Sequence, residues 1–156
     1  MISDLREINR LLIVIDELQV NNQGKILDVI EQCENIVLGG KRVNHKNTID
    51  FCVSSGILLQ NNEFLKYSPL GVKFFKANPE KVWDLNNLQK TLLIENCFLD
   101  GFYYEKTISI LKQFLKDNKR KTFVFSKQNL PFLHGDLSHI QLLKQIELIL
   151  EDETKL

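Results

Sequence analysis

The chain has 156 residues, of which 44% are hydrophobic, and 20 Lys and Arg residues balance 20 Asp and Glu residues. This length accommodates one domain or two very small ones, and the apolar content is sufficient for a buried core, which excludes a large multidomain protein and a disordered chain. A formal net charge of zero lacks the strong positive field of many nucleic-acid binders, so any contact with DNA has to come from a local basic patch.

The sequence contains no pattern typical of a membrane span or a signal peptide. The apolar run at residues 11–15 is too short to cross a bilayer and is closely flanked by charged residues. Three cysteines, Cys33, Cys52 and Cys97, lie far apart on segments with helical spacing, which favours reduced, buried thiols over disulfides or a zinc site. We therefore expect a cytoplasmic protein without membrane association.

Hydrophobic spacing predicts helices over residues 3–20, 25–36 and 44–56, with a tight turn at Gly39-Gly40 between the second and third. The first of these helices is apolar nearly all round, which implies either deep burial or a partner chain on its second side, and a partner is slightly favoured. Two short helices joined by a glycine-containing turn predict a helix-turn-helix.

A β-hairpin is predicted directly after the helix-turn-helix. Two short apolar runs flank an asparagine-rich turn within residues 57–67, and a hairpin at this place is the wing of a winged helix. Ser68 followed by Pro69 is a strong helix start, because serine caps and proline suits the first helical position. The wing is therefore expected to lead straight into another helix, which ends before Asn78-Pro79.

The C-terminal half adds further helices to this mainly α fold with minor β structure. Its predicted elements are two amphipathic helices, a β-type stretch and a last helix, at about residues 87–99, 104–117, 122–125 and 138–147. We therefore divide the chain into a winged-helix domain at residues 1–80 and a helical extension at residues 81–156.

An internal repeat is a second hypothesis for the C-terminal half. An offset of 91 positions aligns Ile49 with Ile140, Cys52 with Leu143, and the apolar run 57–59 with 148–150. The alternative is that the match is fortuitous, because any two segments in which an amphipathic helix precedes an apolar strand align with this degree of similarity. A true repeat would make the C-terminus a second, partial winged helix that belongs to a longer architecture or completes its wing by pairing with another subunit.

The stretch at residues 43–58, followed by residues 67–75, resembles the winged-helix modules of prokaryotic restriction and phage-defence proteins. In those modules a helix ending in glycine and two apolar residues leads into a wing and then into a helix that begins Ser/Thr-Pro-x-Gly. The resemblance covers about residues 25–77 and implies DNA binding or complex assembly, often beside a nuclease or an ATPase. Winged-helix accessory subunits of condensin-like or three-component defence ATPases look similar too, and neutral charge suits such adapters better.

The candidate DNA-contacting residues lie around the start of the predicted third helix. In a DNA-binding helix-turn-helix the second helix enters the major groove by its N-terminal residues, and Asn and Lys side chains can bond adenine and guanine. The alternative is that polar residues crowd any exposed helix start and that Asn44 is only a cap. The candidates, including basic residues for phosphate contacts, are Lys41, Arg42, Asn44, His45, Lys46, Asn47, Thr48 and Lys66.

No catalytic, metal or cofactor site is expected. Asp136, Glu153 and Lys155 have the order of a metal-dependent nuclease motif, but they fall in a predicted loop and at the terminus rather than on strands that would aim them at one point. His134 and His139 beside Asp136 fit no common ligand spacing on one element. The sequence therefore favours a protein that is not an enzyme.

Two functional hypotheses follow. The first is a non-catalytic module of a prokaryotic restriction or phage-defence system that binds double-stranded DNA through the third helix and the wing. The second is a protein–protein assembly adapter, in which the first helix and the helices at residues 87–117 bind another copy of the chain or an ATPase partner. The adapter predicts a large apolar surface on the isolated chain.

Overall fold

The computed structural model describes residues 2–18, 23–35, 45–118, 124–125 and 137–151. Over these residues the chain is mainly helical with minor β structure, which confirms the predicted fold class. The chain divides into two compact units, Met1–Gln89 and Lys90–Leu156. Among the helices that the structure describes, none combines the length and the apolar character that a membrane span requires.

The first unit contains four helices and a three-stranded sheet in its described part. The helices are α1 (Arg6–Leu18), α2 (Ile26–Asn35), α3 (His45–Ser54) and α4 (Pro69–Lys76), and the strands are β1 (Gln23–Lys25), β2 (Leu58–Asn61) and β3 (Phe64–Tyr67). The sheet is antiparallel with the order β1-β3-β2. The predicted hairpin is therefore present as β2 and β3, and Asn62 in its turn has a φ of 52°, which asparagine tolerates better than most residues.

Strand β1 was not predicted, because residues 21–24 fall between the helices predicted over residues 3–20 and 25–36. Gln23 pairs with Lys66 and Lys25 pairs with Phe64, and the Ile26 amide donates to the Glu63 carbonyl at 2.7 Å. A three-residue strand that contains a glycine has no alternation to recognise. It forms because the edge of β3 offers backbone partners.

Helix α1 lies in the core. It is buried on several sides, through Ile8, Leu11, Leu12, Val14 and Ile15, and also through the polar residues Glu7, Asn9 and Arg10. Of the two explanations for its apolar surface, deep burial is the one that the structure has. The partner chain favoured for α1 is therefore not needed to cover these residues.

A buried polar contact attaches residues 81–89 to the first unit. The Asn9 side-chain amide donates to the Gln89 side chain at 3.2 Å and to the Trp83 carbonyl at 2.9 Å. Gln89 returns a hydrogen bond to Asn9 at 2.7 Å and donates to the Phe74 carbonyl at 3.2 Å. The compact unit accordingly extends to Gln89, beyond the boundary drawn at residue 80 from the sequence.

The Ser-Pro-x-Gly sequence joins α4 to the turn between α3 and β2. The Ser68 hydroxyl caps α4 by accepting from the Gly71 amide at 2.9 Å, and it donates to the Ile57 carbonyl at 2.9 Å. A Cβ at position 71 would overlap that same carbonyl oxygen, so only glycine permits this close approach. The motif therefore has a packing reason that is independent of any ligand.

The second unit contains the remaining elements. They are α5 (Asn87–Leu93), which begins at the end of the first unit, a π-helix (Ile94–Phe98), α6 (Tyr104–Asn118), β4 (Val124–Phe125), α7 (Leu137–Gln145) and β5 (Leu150–Glu151). The helix predicted over residues 87–99 is thus divided into an α-helical and a π-helical part. Inside the unit, the Thr107 hydroxyl lies 2.9 Å from Nε2 of the buried His139, whose ring contacts Phe98 and Tyr103 edge-on.

The end of α7 repeats the end of α3 at the offset of 91 residues found in the sequence. After α3, the Gly56 and Ile57 amides donate to the carbonyls of Val53 and Cys52. After α7, the Glu147 and Leu148 amides donate to the carbonyls of Lys144 and Leu143, the equivalent positions. Both turns are Schellman motifs whose C′ residue has a positive φ, 80° at Gly56 and 61° at Glu147.

The strands that follow the two turns belong to different sheets. Strand β2 pairs antiparallel with β3, whereas β5 pairs in parallel with β4, which precedes α7 in the chain. The local repeat therefore covers a helix, its C-terminal turn and the start of a strand. A second, partial winged helix in this unit stays a prediction.

The three cysteines, Cys33, Cys52 and Cys97, are free thiols and buried. Burial raises the pKa of the Cys33 thiol to about 11, so this side chain is a protonated, unreactive thiol at neutral pH.

Candidate nucleic-acid interface

The first turn of α3 carries the predicted DNA-contacting residues that the structure describes. His45 begins the helix, Lys46 is exposed and Asn47 is half-buried. Thr48 is only 3% exposed, so its hydroxyl is not on the surface where a phosphate would lie. Three other predicted residues, Lys41, Arg42 and Asn44, lie outside the described part of the chain.

His45 contributes no positive charge at neutral pH. Burial, and then the neighbouring Arg10 guanidinium, lower the pKa of His45 below its ordinary value of 6.5. The Arg10 guanidinium lies 3.5 Å from Nδ1 of His45, forms an ion pair with Glu7 and stands over the Trp83 ring. Because Arg10 and Glu7 are both buried, their charges compensate each other inside the unit rather than at the surface.

The exposed face of α3 carries both signs of charge. Lys46, Asp50 and Ser54 follow one another at a spacing of four residues, and all three are exposed. The Lys46 ammonium is therefore the cation that the described first turn offers to a phosphate. The Asp50 carboxylate, one turn further on, would repel phosphates and could accept a hydrogen bond only from a donor such as the cytosine amino group.

Lys66 lies on the outer face of the sheet, next to apolar side chains that the sequence analysis did not single out. It pairs with Leu59 in β2, and Phe64 lies two residues before it on the same face, opposite Lys25 in β1. Leu59 is 52% and Phe64 is 38% exposed, although Leu65 between Phe64 and Lys66 is fully buried. Once the register of the hairpin is known, the alternation of side chains along β3 predicts that Phe64, Lys66 and Leu59 share one face. Strand β1 adds a second lysine, Lys25, to that face.

Among the described residues, no group of three or more His, Cys, Asp or Glu side chains could hold a metal ion. Of the residues weighed for metal or nuclease chemistry, His139 is buried against Thr107 in the second unit. The other four, His134, Asp136, Glu153 and Lys155, lie outside the described residues.

Comparison with protein-family models, with curated proteins and with solved structures gives no match to the chain.

Proposed function

We propose that the first unit is a winged helix-turn-helix that binds double-stranded DNA without catalysing a reaction. The order α1-β1-α2-α3-β2-β3 and the sheet order β1-β3-β2 support this proposal. In this proposal α2 and α3 are the two helices of the helix-turn-helix, and the β2–β3 hairpin is the wing.

The observation that carries the proposal is the exposed Lys46 in the first turn of α3. The N-terminal residues of the second helix approach the major groove in proteins of this class, and the amides of a helix N-terminus also favour phosphate. Asn47 beside it can form paired hydrogen bonds with adenine. Lys41 and Arg42 precede this turn in the chain and would add phosphate contacts, and Lys66 would add one from the sheet.

The proposed setting is a cytoplasmic restriction or phage-defence system of a prokaryote. It rests on the resemblance of residues 25–77 to the winged-helix modules of such systems, in which DNA binding accompanies a nuclease or an ATPase.

Fluorescence anisotropy of a labelled random duplex, titrated with the purified chain at several salt concentrations, tests the proposal. Lys46→Ala should weaken binding and reduce the slope of log K against log salt by about 1, since one phosphate contact is lost. Lys76→Ala, which removes an exposed lysine of α4, is the matched control and should change neither quantity. Absence of binding at low salt, or equal effects of the two substitutions, would refute DNA contact by α3.

An assembly adapter is the second candidate function, and the exposure of large apolar side chains favours it. Leu88 is 58%, Leu99 is 40% and Phe102 is 61% exposed, all within the segment predicted to bind a protein. An adapter would associate with a protein at a salt concentration where it binds no DNA. The anisotropy titration measures DNA binding and a sedimentation experiment measures protein association, so together they separate the two functions.

A further inference from the structure

The turn between the π-helix and α6, together with the first two residues of α6, exposes apolar and acidic side chains. Leu99, Phe102 and Tyr104 are 40%, 61% and 45% exposed. Asp100 and Glu105, which directly follow Leu99 and Tyr104 in the chain, are exposed as well. We refer to these five residues as the acidic turn.

The acidic turn is held in one conformation by its own backbone. The Leu99 amide donates to the Ile94 carbonyl and the Tyr103 amide donates to the Cys97 carbonyl, each at 2.8 Å. Gly101 has a φ of 81°, and a Cβ there would overlap the Asn96 carbonyl oxygen.

Aromatic contacts support the same conformation. The Tyr103 ring stacks on the buried Phe98 ring with 5.5 Å between centroids, and Phe102 packs edge-on against Tyr103 at 4.9 Å. The exposed side chains are therefore presented by a preorganised turn, which lowers the entropic cost of binding.

The Asp100 carboxylate accepts a hydrogen bond from the Gly101 amide at 2.9 Å, but the carboxylates of the acidic turn have no cationic partner in the ion pairs of the described residues. These ion pairs involve six acidic side chains, and Asp100 and Glu105 are not among them. Exposed apolar residues bordered by such carboxylates are suited to an apolar surface that carries lysine or arginine. The same carboxylates would be repelled by an anionic lipid surface, which argues against a membrane.

The chain itself has a surface with the complementary chemistry. On the outer face of the three-stranded sheet, Leu59 and Phe64 are exposed beside Lys66 and Lys25. We refer to these four residues as the basic sheet face. The Lys25 ammonium lies 3.9 Å from the Glu63 carboxylate, and these side chains are 45% and 74% exposed.

We propose that the acidic turn of one copy of this chain docks on the basic sheet face of a second copy. Phe102 and Leu99 would contact Phe64 and Leu59, and the carboxylates of the acidic turn would lie against the two lysines. Each copy carries one of each surface, so the contacts either close reciprocally in a symmetric dimer or continue into rings or open chains of copies. Lys66 would then be covered in the assembly, whereas Lys46 belongs to neither surface.

Sedimentation velocity over loading concentrations from about 10 to 500 µM tests the proposal, because a contact between surfaces of so few residues is expected to be weak and transient. The wild-type chain should show a sedimentation coefficient that rises with concentration. Phe102→Ser should weaken association at least about tenfold, since it removes the apolar centre of the contact. Val82→Ser removes an exposed apolar residue that belongs to neither surface and should leave association unchanged. All these positions are exposed, and circular dichroism verifies that each variant is folded.

Charge reversal provides a second, independent test. The variant Lys25→Glu/Lys66→Glu and the variant Asp100→Lys/Glu105→Lys should each be monomeric, because like charges would then face each other. An equimolar mixture should associate again, since the acidic turn of the first variant meets the basic sheet face of the second. A wild-type chain that is monomeric at the highest concentration would overturn the proposal. So would association that persists in both charge variants, or two monomeric variants whose mixture remains monomeric.

Discussion

Asn9 and Gln89, 80 residues apart in the chain, exchange two side-chain hydrogen bonds inside the first unit. Both side chains are at most 2% exposed, so neither amide can replace its partner with bulk water. The pair connects α1 to the beginning of α5, which is where the first unit ends.

Replacement of Asn9 by Ala should destabilise the protein by about 1–3 kcal/mol, because Gln89 loses a partner while it stays buried. The double variant Asn9→Leu/Gln89→Leu should be less destabilised than the sum of the two single leucine variants, since it removes the amides from both ends of the hydrogen bonds. Urea denaturation measures the free energy of unfolding of all these variants. Additive effects of the two leucine substitutions would show that the pair does not couple α1 to residue 89.

This contact explains why local sequence signals predict helices and strands but not how far the first unit extends. Local signals were sufficient for the helices and the hairpin, since spacing, glycine and the Ser68-Pro69 start act within a few residues. Asn9 is a polar residue in an apolar helix, and nothing near it in the sequence indicates its partner. The same reasoning applies to β1, which depends on β3 some 40 residues away.

The candidate interface could be predicted only in part for a related reason. The sequence predicted that Lys46 lies at the start of the third helix, where the structure has it exposed, but it could not show that Thr48 is buried or that Arg10 lies beside His45. Those relationships depend on how α1 packs against α3. Likewise, Lys66 acquired its apolar neighbours Leu59 and Phe64 only when the register of the sheet was known.

The two Schellman turns make a prediction about stability. Glu147 occupies the position of Gly56 with a φ of 61°, where a side chain costs about 1 kcal/mol relative to glycine. Glu147→Gly should therefore raise the free energy of unfolding by about that amount, and Gly56→Ala should lower it by a similar amount. Thermal and urea denaturation measure both effects.

Glu147→Gln is the matched control for the turn. It keeps the backbone strain and removes the ion pair with Lys90. In that pair the Lys90 ammonium lies 3.4 Å from the Glu147 carboxylate, and the Glu147 side chain is 62% exposed. Since exposed ion pairs contribute little, this variant should differ from the wild-type protein by less than about 0.5 kcal/mol. Equal effects of Gly and Gln at position 147 would mean that backbone strain is not what limits stability there.

The environment of His45 predicts that stability depends on pH. Because its pKa is lowered on folding, the unfolded chain binds a proton at His45 in a pH range where the folded chain does not. The stability associated with this group is present above pH 6.5 and is lost as the pH falls from there through the lowered pKa. His45→Gln cannot titrate, so its free energy of unfolding should fall less than that of the wild-type protein upon acidification.

Glu7 has the opposite influence on the pH dependence of stability, so the comparison of His45→Gln with the wild-type protein has to account for it. Burial raises the pKa of Glu7 above its ordinary value of 4.5, so its contribution is present below pH 4.5 and is lost as the pH rises through the raised pKa. Both proteins retain Glu7, so the difference between their unfolding curves isolates His45. Lys46→Gln, which introduces glutamine at the neighbouring exposed position and leaves His45 in place, should parallel the wild-type protein. Parallel curves for His45→Gln and the wild-type protein would show that His45 titrates alike in the folded and unfolded chains.

Asp50 provides the most specific test of whether α3 faces DNA. Its carboxylate lies one helical turn after Lys46 on the same exposed face, so a helix that contacts the duplex through Lys46 brings Asp50 towards the phosphates. Asp50→Asn removes the repulsion, keeps a similar volume and should tighten binding to a random duplex by roughly threefold to tenfold at low salt.

Glu80→Gln removes an exposed carboxylate outside α3 and makes the same change in net charge, so it controls for general electrostatic attraction. Anisotropy titrations at two salt concentrations distinguish the outcomes. A larger gain for Asp50→Asn, which shrinks as salt is raised, assigns the contact to this face of α3, because only a local repulsion depends on position. Equal gains for the two variants mean that net charge alone governs binding, and no gain for Asp50→Asn means that α3 does not face the duplex.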